Sequence, residues 1–228
     1  NLDKHLIEGI NANGVPRKLK NTVFTFNYND FDSLLKITKN NDLAAIKMEV
    51  ERNFRPDNDF LHKIRKLCDQ KKILLIFDEC TSGFRETYGG LHLKYKIKPD
   101  ICTLGKTISN GYALTAVVGK KKVMNIANEL FISSTFWTER IGYVAALKTL
   151  ETMKKIKSWK IISNKGKIIK SIWEEMSKKY SIDISISGID AIPSFIFNYK
   201  NHNLLKTFLT KEMLKKNILA TNTIYIST

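Results

Sequence analysis

Apolar positions along the chain fall into two rhythms. From Leu43 to Glu49 the run Leu-Ala-Ala-Ile-Lys-Met-Glu reads as a short strand, and Ile73-Leu-Leu-Ile-Phe77 as a stronger one ending in Asp78-Glu79. Between them Phe60, Leu61, Ile64, Leu67 and Cys68 recur at the spacing of one helical face, with Asp57 to Asp59 placed to cap the start after Pro56. Strand, helix, strand is a βαβ crossover. Its second strand is continuously apolar, as burial on both faces demands. The fold class expected is therefore α/β with a parallel or mixed sheet.

Further along, Pro99-Asp100 introduces the short apolar strand Ile101-Cys-Thr-Leu104, which runs into Gly105-Lys106, and Ala113 to Val118 gives another strand closed by Gly119. A helix is expected from about Glu139 to Ile156, with Val144, Leu147 and Leu150 at three-residue steps. Beyond Trp159 the pattern changes. A long amphipathic helix carries Ile169, Ile172, Trp173, Met176 and Tyr180, then Ile182, Ile184 and Ile186 alternate with polar residues as a half-buried strand does. Pro193 to Tyr199 gives one more strand, Leu204, Leu205, Phe208, Leu209 and Met213 a last helix, and Thr223 to Thr228 a strand-like end without a closing turn. Residues 1–138 are thus expected to belong to one α/β domain. Residues 139–228 form a linking helix and a small α+β domain.

With 228 residues, 43% of them hydrophobic, the chain has enough apolar surface for a sizeable core. It opens on Asn1, not Met, and stops inside the strand-like end, so it reads as a fragment. No apolar run approaches the roughly 18–20 residues a membrane-spanning helix needs. Cys68, Cys80 and Cys102 show no C-x-x-C spacing, and the four histidines form no pair at metal-ligand spacing, so a soluble protein in a reducing cytoplasm without a structural metal is expected. The net charge of +16 raises nucleic-acid binding as a competing function. Its lysines, however, are spread over every expected helix with Lys120-Lys121-Lys122 the longest run, and no recognition helix, finger spacing or aromatic-basic RNA motif accompanies them.

Ligands of open α/β sheets bind outside the carboxyl ends of the strands. Asp78 and Lys106 both fall there, the second after Gly105, which leaves room beside the backbone. A desolvated lysine can form an imine with an aldehyde cofactor, and a carboxylate beside a pyridine nitrogen keeps it protonated. By spacing alone the commoner reading is a surface lysine and an aspartate capping a turn.

The surrounding residues change that balance. Phe77-Asp-Glu-Cys-Thr-Ser-Gly-Phe-Arg85, Gly89-Gly90, Lys98-Pro-Asp100 and Leu104-Gly-Lys-Thr-Ile-Ser-Asn-Gly111 follow one another in the order and spacing of the class III aminotransferases, which this chain resembles. The specific match covers residues 73 to 119, and Gly14-Val-Pro16 and Asn27-Tyr-Asn-Asp30 extend it more weakly toward relatives of glutamate-1-semialdehyde aminomutase. The resemblance implies the fold type I architecture of pyridoxal-phosphate-dependent transferases. This chain would supply the later part of the large domain and a truncated small domain, without the phosphate loop and ring-stacking residue of the earlier part.

It further implies pyridoxal 5'-phosphate as cofactor, Lys106 as the Schiff-base lysine and proton carrier, and Asp78 as the pyridine-nitrogen partner. Cys80 is implied against one ring face, where the family usually has Val. Ser134 and Thr135 are implied at the phosphate of a neighbouring subunit, in a homodimer with a shared site; a plain helix cap is the alternative there. Aminomutases read G-T-x-S-G-N-P where this chain has Ser134-Thr-Phe-Trp-Thr-Glu-Arg140, so amino transfer from a small-molecule donor to an oxo-acceptor ranks first and aminomutase second. Glu49 is followed by Val50 where the family has proline, and Arg85 and Arg140 are open between substrate carboxylate and surface roles. A reading of another class, a non-catalytic basic binding module, stands behind these.

Overall fold

The computed structural model describes residues 13–57 and 59–228. Strand β1 (Ala45–Met48), helix α2 (Phe60–Lys71) and strand β2 (Leu74–Glu79) form the expected crossover, with β1 and β2 parallel and Met48 opposite Phe77. Strand β3 (Ile101–Leu104) adds in parallel, Asp78 facing Thr103, and β4 (Ala116–Gly119) closes the sheet antiparallel. The sheet is thus α/β and mixed. A single helical turn, α3 (Lys121–Met124), follows β4.

A helix that the apolar pattern did not announce precedes all of this. In α1 (Phe31–Asn40) Asp30 accepts from the Ser33 N–H at 3.0 Å, satisfying a donor at the helix start, and Leu34 and Thr38 are buried. The aspartates before α2, by contrast, do not cap it with their side chains; Asn58 lies outside the described residues. Asp59 adopts φ 61° without a side-chain cap bond, while the Asp57 N–H donates to Asn29 Oδ1 at 3.0 Å and ties that corner to the turn before α1. Asp100 explains why Pro99-Asp100 opens β3. One carboxylate oxygen takes the Leu75 N–H and Arg65, both at 2.8 Å, and the other takes Lys120 at 2.7 Å, so a single side chain joins β2, α2 and the end of β4.

Helices α4 (Ile141–Ile156) and α5 (Ser158–Tyr180) follow, then the antiparallel pair β5 (Ile184–Ser187) and β6 (Ser194–Phe197), and α6 (His202–Lys215). Gly166 lets α5 touch the turn at Asp190, whose carbonyl oxygen a side chain there would overlap, and Lys170 bonds Gly188 O and Asp190 from the same helix. The expected terminal strand shrinks to a single bridge, Thr223 to Ser194. It meets β6 only at its start, where Pro193 accepts from the Ile224 N–H but has no N–H to return. The apolar stripe expected of α4 also faces outward: Val144 and Leu147 are exposed and Ala146 is its buried residue. One apolar cluster joins Leu34, Ile64, Leu75 and Phe77 with Ile162, Ile189 and Ile192, so the sheet and α5 share a core.

Candidate functional site

Alternation along the strands sorts the sheet into two faces. Ile46, Met48, Leu75, Phe77, Glu79, Cys102 and Leu104 are buried, while Lys47, Ile76, Asp78, Ile101 and Thr103 keep accessible surface on the other side. The parallel strands β1 to β3 end at one edge, and there the sheet delivers Asp78, Cys80 and Lys106.

Asp78 Oδ1 accepts from the Cys80 N–H and from the Thr103 hydroxyl, both at 3.2 Å, and Oδ2 pairs with Lys47 Nζ at 2.9 Å. Burial pushes its pKa upward, but the Lys47 ammonium and the Cys80 N–H outweigh it and hold the carboxyl below the ordinary carboxylate range. Lys106 Nζ donates to Thr81 Oγ1 at 2.6 Å, and the Thr81 carbonyl accepts from Arg85 Nε at 2.6 Å. The Lys106 backbone has φ 48°, a left-handed conformation that side-chain-bearing residues rarely adopt. Lys106 is an exposed residue, so the described residues do not enclose it as the expected desolvation would require. Gly105 serves differently from expectation too. A Cβ there would lie 3.3 Å from Thr115 Cγ2 and 3.5 Å from Cys80 Sγ, so the space beside it is filled by these two side chains.

Ser134 and Thr135 lie in an exposed stretch before α4, and no hydrogen bond or ion pair among the described residues links them to Asp78 or Lys106. Ser134 Oγ accepts from the Phe136 N–H at 3.3 Å, whereas α4 begins at Ile141 without a side-chain cap, which removes the capping alternative. Arg140 is exposed at that start; Arg85 is half-buried and lies over the Tyr225 ring at 5.3 Å. Glu49 pairs with Arg52 at 3.2 Å. The residues that sequence reasoning missed are Thr81 and Lys47. Lys47 had a signal, a lone charge inside an apolar strand.

On the buried face Glu79 takes the Leu91 N–H, the His92 N–H at 3.1 Å, His92 Nδ1 at 2.6 Å and the Ser82 hydroxyl at 3.3 Å, which holds the loop after β2. Glu79, His92 and Cys102 bring possible metal-ligand atoms within 4.8 Å of one another, yet both Glu79 oxygens are committed to these donors. The Cys102 thiol is pushed up to about 12, chiefly by burial and then by Glu79. The three cysteines are free. A cavity of about 440 Å³ opens beside Asp78, lined by Tyr28, Lys47, Glu49, Arg52 and Phe54. A larger one, about 820 Å³, lies among apolar side chains of α5, α6, β5 and β6, and it is far poorer in charge. No described helix is long and apolar enough to cross a membrane.

The model of the family "Aminotransferase class-III" matches residues 25–222. A 3-aminobutyryl-CoA aminotransferase of Cloacimonas acidaminovorans is 33% identical over 220 residues, covering 90% of this chain and 52% of that protein. A glutamate-1-semialdehyde 2,1-aminomutase of Sulfolobus acidocaldarius is 30% identical over 226 residues, covering 94% and 54%. Among solved structures, an omega-transaminase from Sphaerobacter thermophilus superimposes with a TM-score of 0.85 at 19% identity, over 94% of this chain and 55% of its own, a likeness of fold. The chain spans about half the length of the curated relatives it matches.

Proposed function

Because the chain belongs to the class III aminotransferase family, we propose that the protein is a pyridoxal-phosphate-dependent aminotransferase, with Lys106 as the residue that bonds the cofactor and Asp78 as the partner of its ring nitrogen. The observation that carries this reading is that one sheet edge presents both an Asp78 carboxylate held below its ordinary pKa and a Lys106 amine bonded to Thr81. The donor set suits the group. A carboxylate held below its usual pKa can keep a pyridine nitrogen protonated, and a primary amine at the same sheet edge can meet an aldehyde.

When bound, the cofactor supplies the electron sink and carries the amino group between a small-molecule donor and an oxo-acceptor. Asp78 contributes a fixed negative charge, with Oδ1 already held by the Cys80 N–H and the Thr103 hydroxyl. Lys106 would hold the cofactor through its Nζ, and the same amine, steadied by the Thr81 hydroxyl, would carry a proton at the substrate carbon. Cys80 packs beside Gly105 and is read as the contact to one ring face. Ser134 and Thr135 are read as phosphate ligands for a second subunit. This is supported by their exposure and by the neighbouring Phe131, 98% exposed, with Phe136 and Trp137, an apolar surface suited to a homodimer. A cytoplasmic setting accompanies this reading, supported by the three free cysteines.

Borohydride reduction of the intact gene product with pyridoxal phosphate, followed by peptide mapping, tests the proposal. A pyridoxyl group on Lys106 that is abolished in Lys106→Ala is the expected result. A folded protein without an adduct overturns it and leaves the basic binding module in its place. The second reading, intramolecular amino transfer, is favoured by the similarity to aminomutases; turnover of a single substrate without a separate amino donor is its signature.

A further inference from the structure

The Asp78 carboxylate is approached from two neighbouring strands and the loop after its own, and the approach from β1 is out of keeping with that strand. Ala45–Met48 buries Ile46 and Met48, and the register sets Lys47 beside Ile76, two residues before Asp78 on the same face. From there the Lys47 side chain reaches across to Asp78 Oδ2 at 2.9 Å while staying 60% exposed. Oδ1 accepts from the Cys80 N–H and the Thr103 hydroxyl, whereas among the described residues Oδ2 is met by Lys47, which leaves it a lone pair.

We propose that Lys47 is a positioning residue for Asp78, anchoring Oδ2 from the neighbouring strand so that the carboxylate presents its last lone pair to the cofactor's protonated ring nitrogen. The inference rests on the cofactor reading above. The terminal torsion of an aspartate is broad, and donors on one oxygen alone leave the plane of the carboxylate free to swing. An ammonium on the second oxygen defines that plane. Lys47 also favours the ionised form that the ring nitrogen requires, and its exposure lets water screen its repulsion of the ring cation. The groups facing Asp78 are Lys47 from β1, Cys80 just after β2, Thr103 from β3, and Glu49 and Arg52 across the adjoining cavity; Cys102 lies behind the sheet.

The test titrates pyridoxal phosphate by absorbance into the intact gene product as wild type, Lys47→Met, Lys47→Gln and Lys47→Arg across pH, with borohydride mapping of Lys106 in each. Lys47→Met is expected to weaken binding roughly two- to fivefold near neutral pH, the scale of one solvent-facing ion pair. Its acid limb of binding should move to higher pH, because Asp78 then protonates sooner. Lys47→Gln should fall between, and Lys47→Arg should restore both readouts. Unchanged affinity and acid limb in Lys47→Met, or tighter binding, overturns the role of Lys47 while the Lys106 adduct keeps the cofactor reading standing. No adduct in the wild type overturns that reading and this inference together.

Discussion

On the back of the four-stranded sheet Ile46, Leu75, Phe77, Cys102 and Leu104 are packed away. On its front, from the same strands and one residue out of step, Lys47, Asp78 and Thr103 keep part of their surface. The back meets α2 and the shared core with α5, and even its one carboxylate, Glu79, is spent on holding a loop. The front holds charges at short range with lone pairs to spare. Strand alternation thus lets adjacent residues serve opposite ends: Phe77 is packed into the core, and Asp78 and its neighbours are left accessible for the chemistry proposed above.

Substitutions one position apart should therefore separate activity from stability. On the reading proposed above, Asp78→Asn removes the fixed negative charge and should lower the kcat of the intact gene product by roughly 10²-fold or more, the scale of losing one preorganised electrostatic partner. Its thermal midpoint should stay near wild type, and a large drop there would erase the contrast. Phe77→Ala empties a fully buried position and should cost about 3–5 kcal/mol in urea unfolding. The smallest effect concerns Asp100, which sits between the faces at the start of β3. Burial raises its pKa, but the Leu75 N–H, Lys120 and Arg65 outweigh it and bring the folded value below the ordinary one. Its contribution is then complete above the unfolded carboxylate pKa of about 3.9 and is lost as pH falls through the lower folded value. Asp100→Asn should flatten the acid side of a stability-against-pH curve, and an unchanged acid side would show that the bonds of Asp100 contribute nothing there.

The crossover and the edge carrying Asp78 and Lys106 were legible because an unbroken apolar run followed by a charge is a local pattern. What escaped is set by contacts distant in sequence. Helix α1 is fastened by Leu34 in a core assembled from residues as far along as Ile226, and the Asp57 N–H before α2 is bound to Asn29, 28 residues upstream, while no aspartate side chain caps the helix. Gly105 was read as room for a ligand, but the space belongs to Thr115 and Cys80, which only the folded sheet brings there. Val144 and Leu147 keep a helical period whichever way the helix turns, so periodicity alone could not tell burial from exposure. Thr81 and Lys47 act across strands or loops, where sequence spacing is silent.

The left-handed backbone at Lys106 sets thermodynamic preference against the chemical use proposed for its amine. A side chain in that conformation costs about 1–3 kcal/mol that glycine would not incur. A search for sturdier versions of this fold by random mutagenesis scored on melting alone would be drawn toward glycine at this position and would discard the amine. Stability screens on this scaffold therefore need an activity filter at residue 106 above all others.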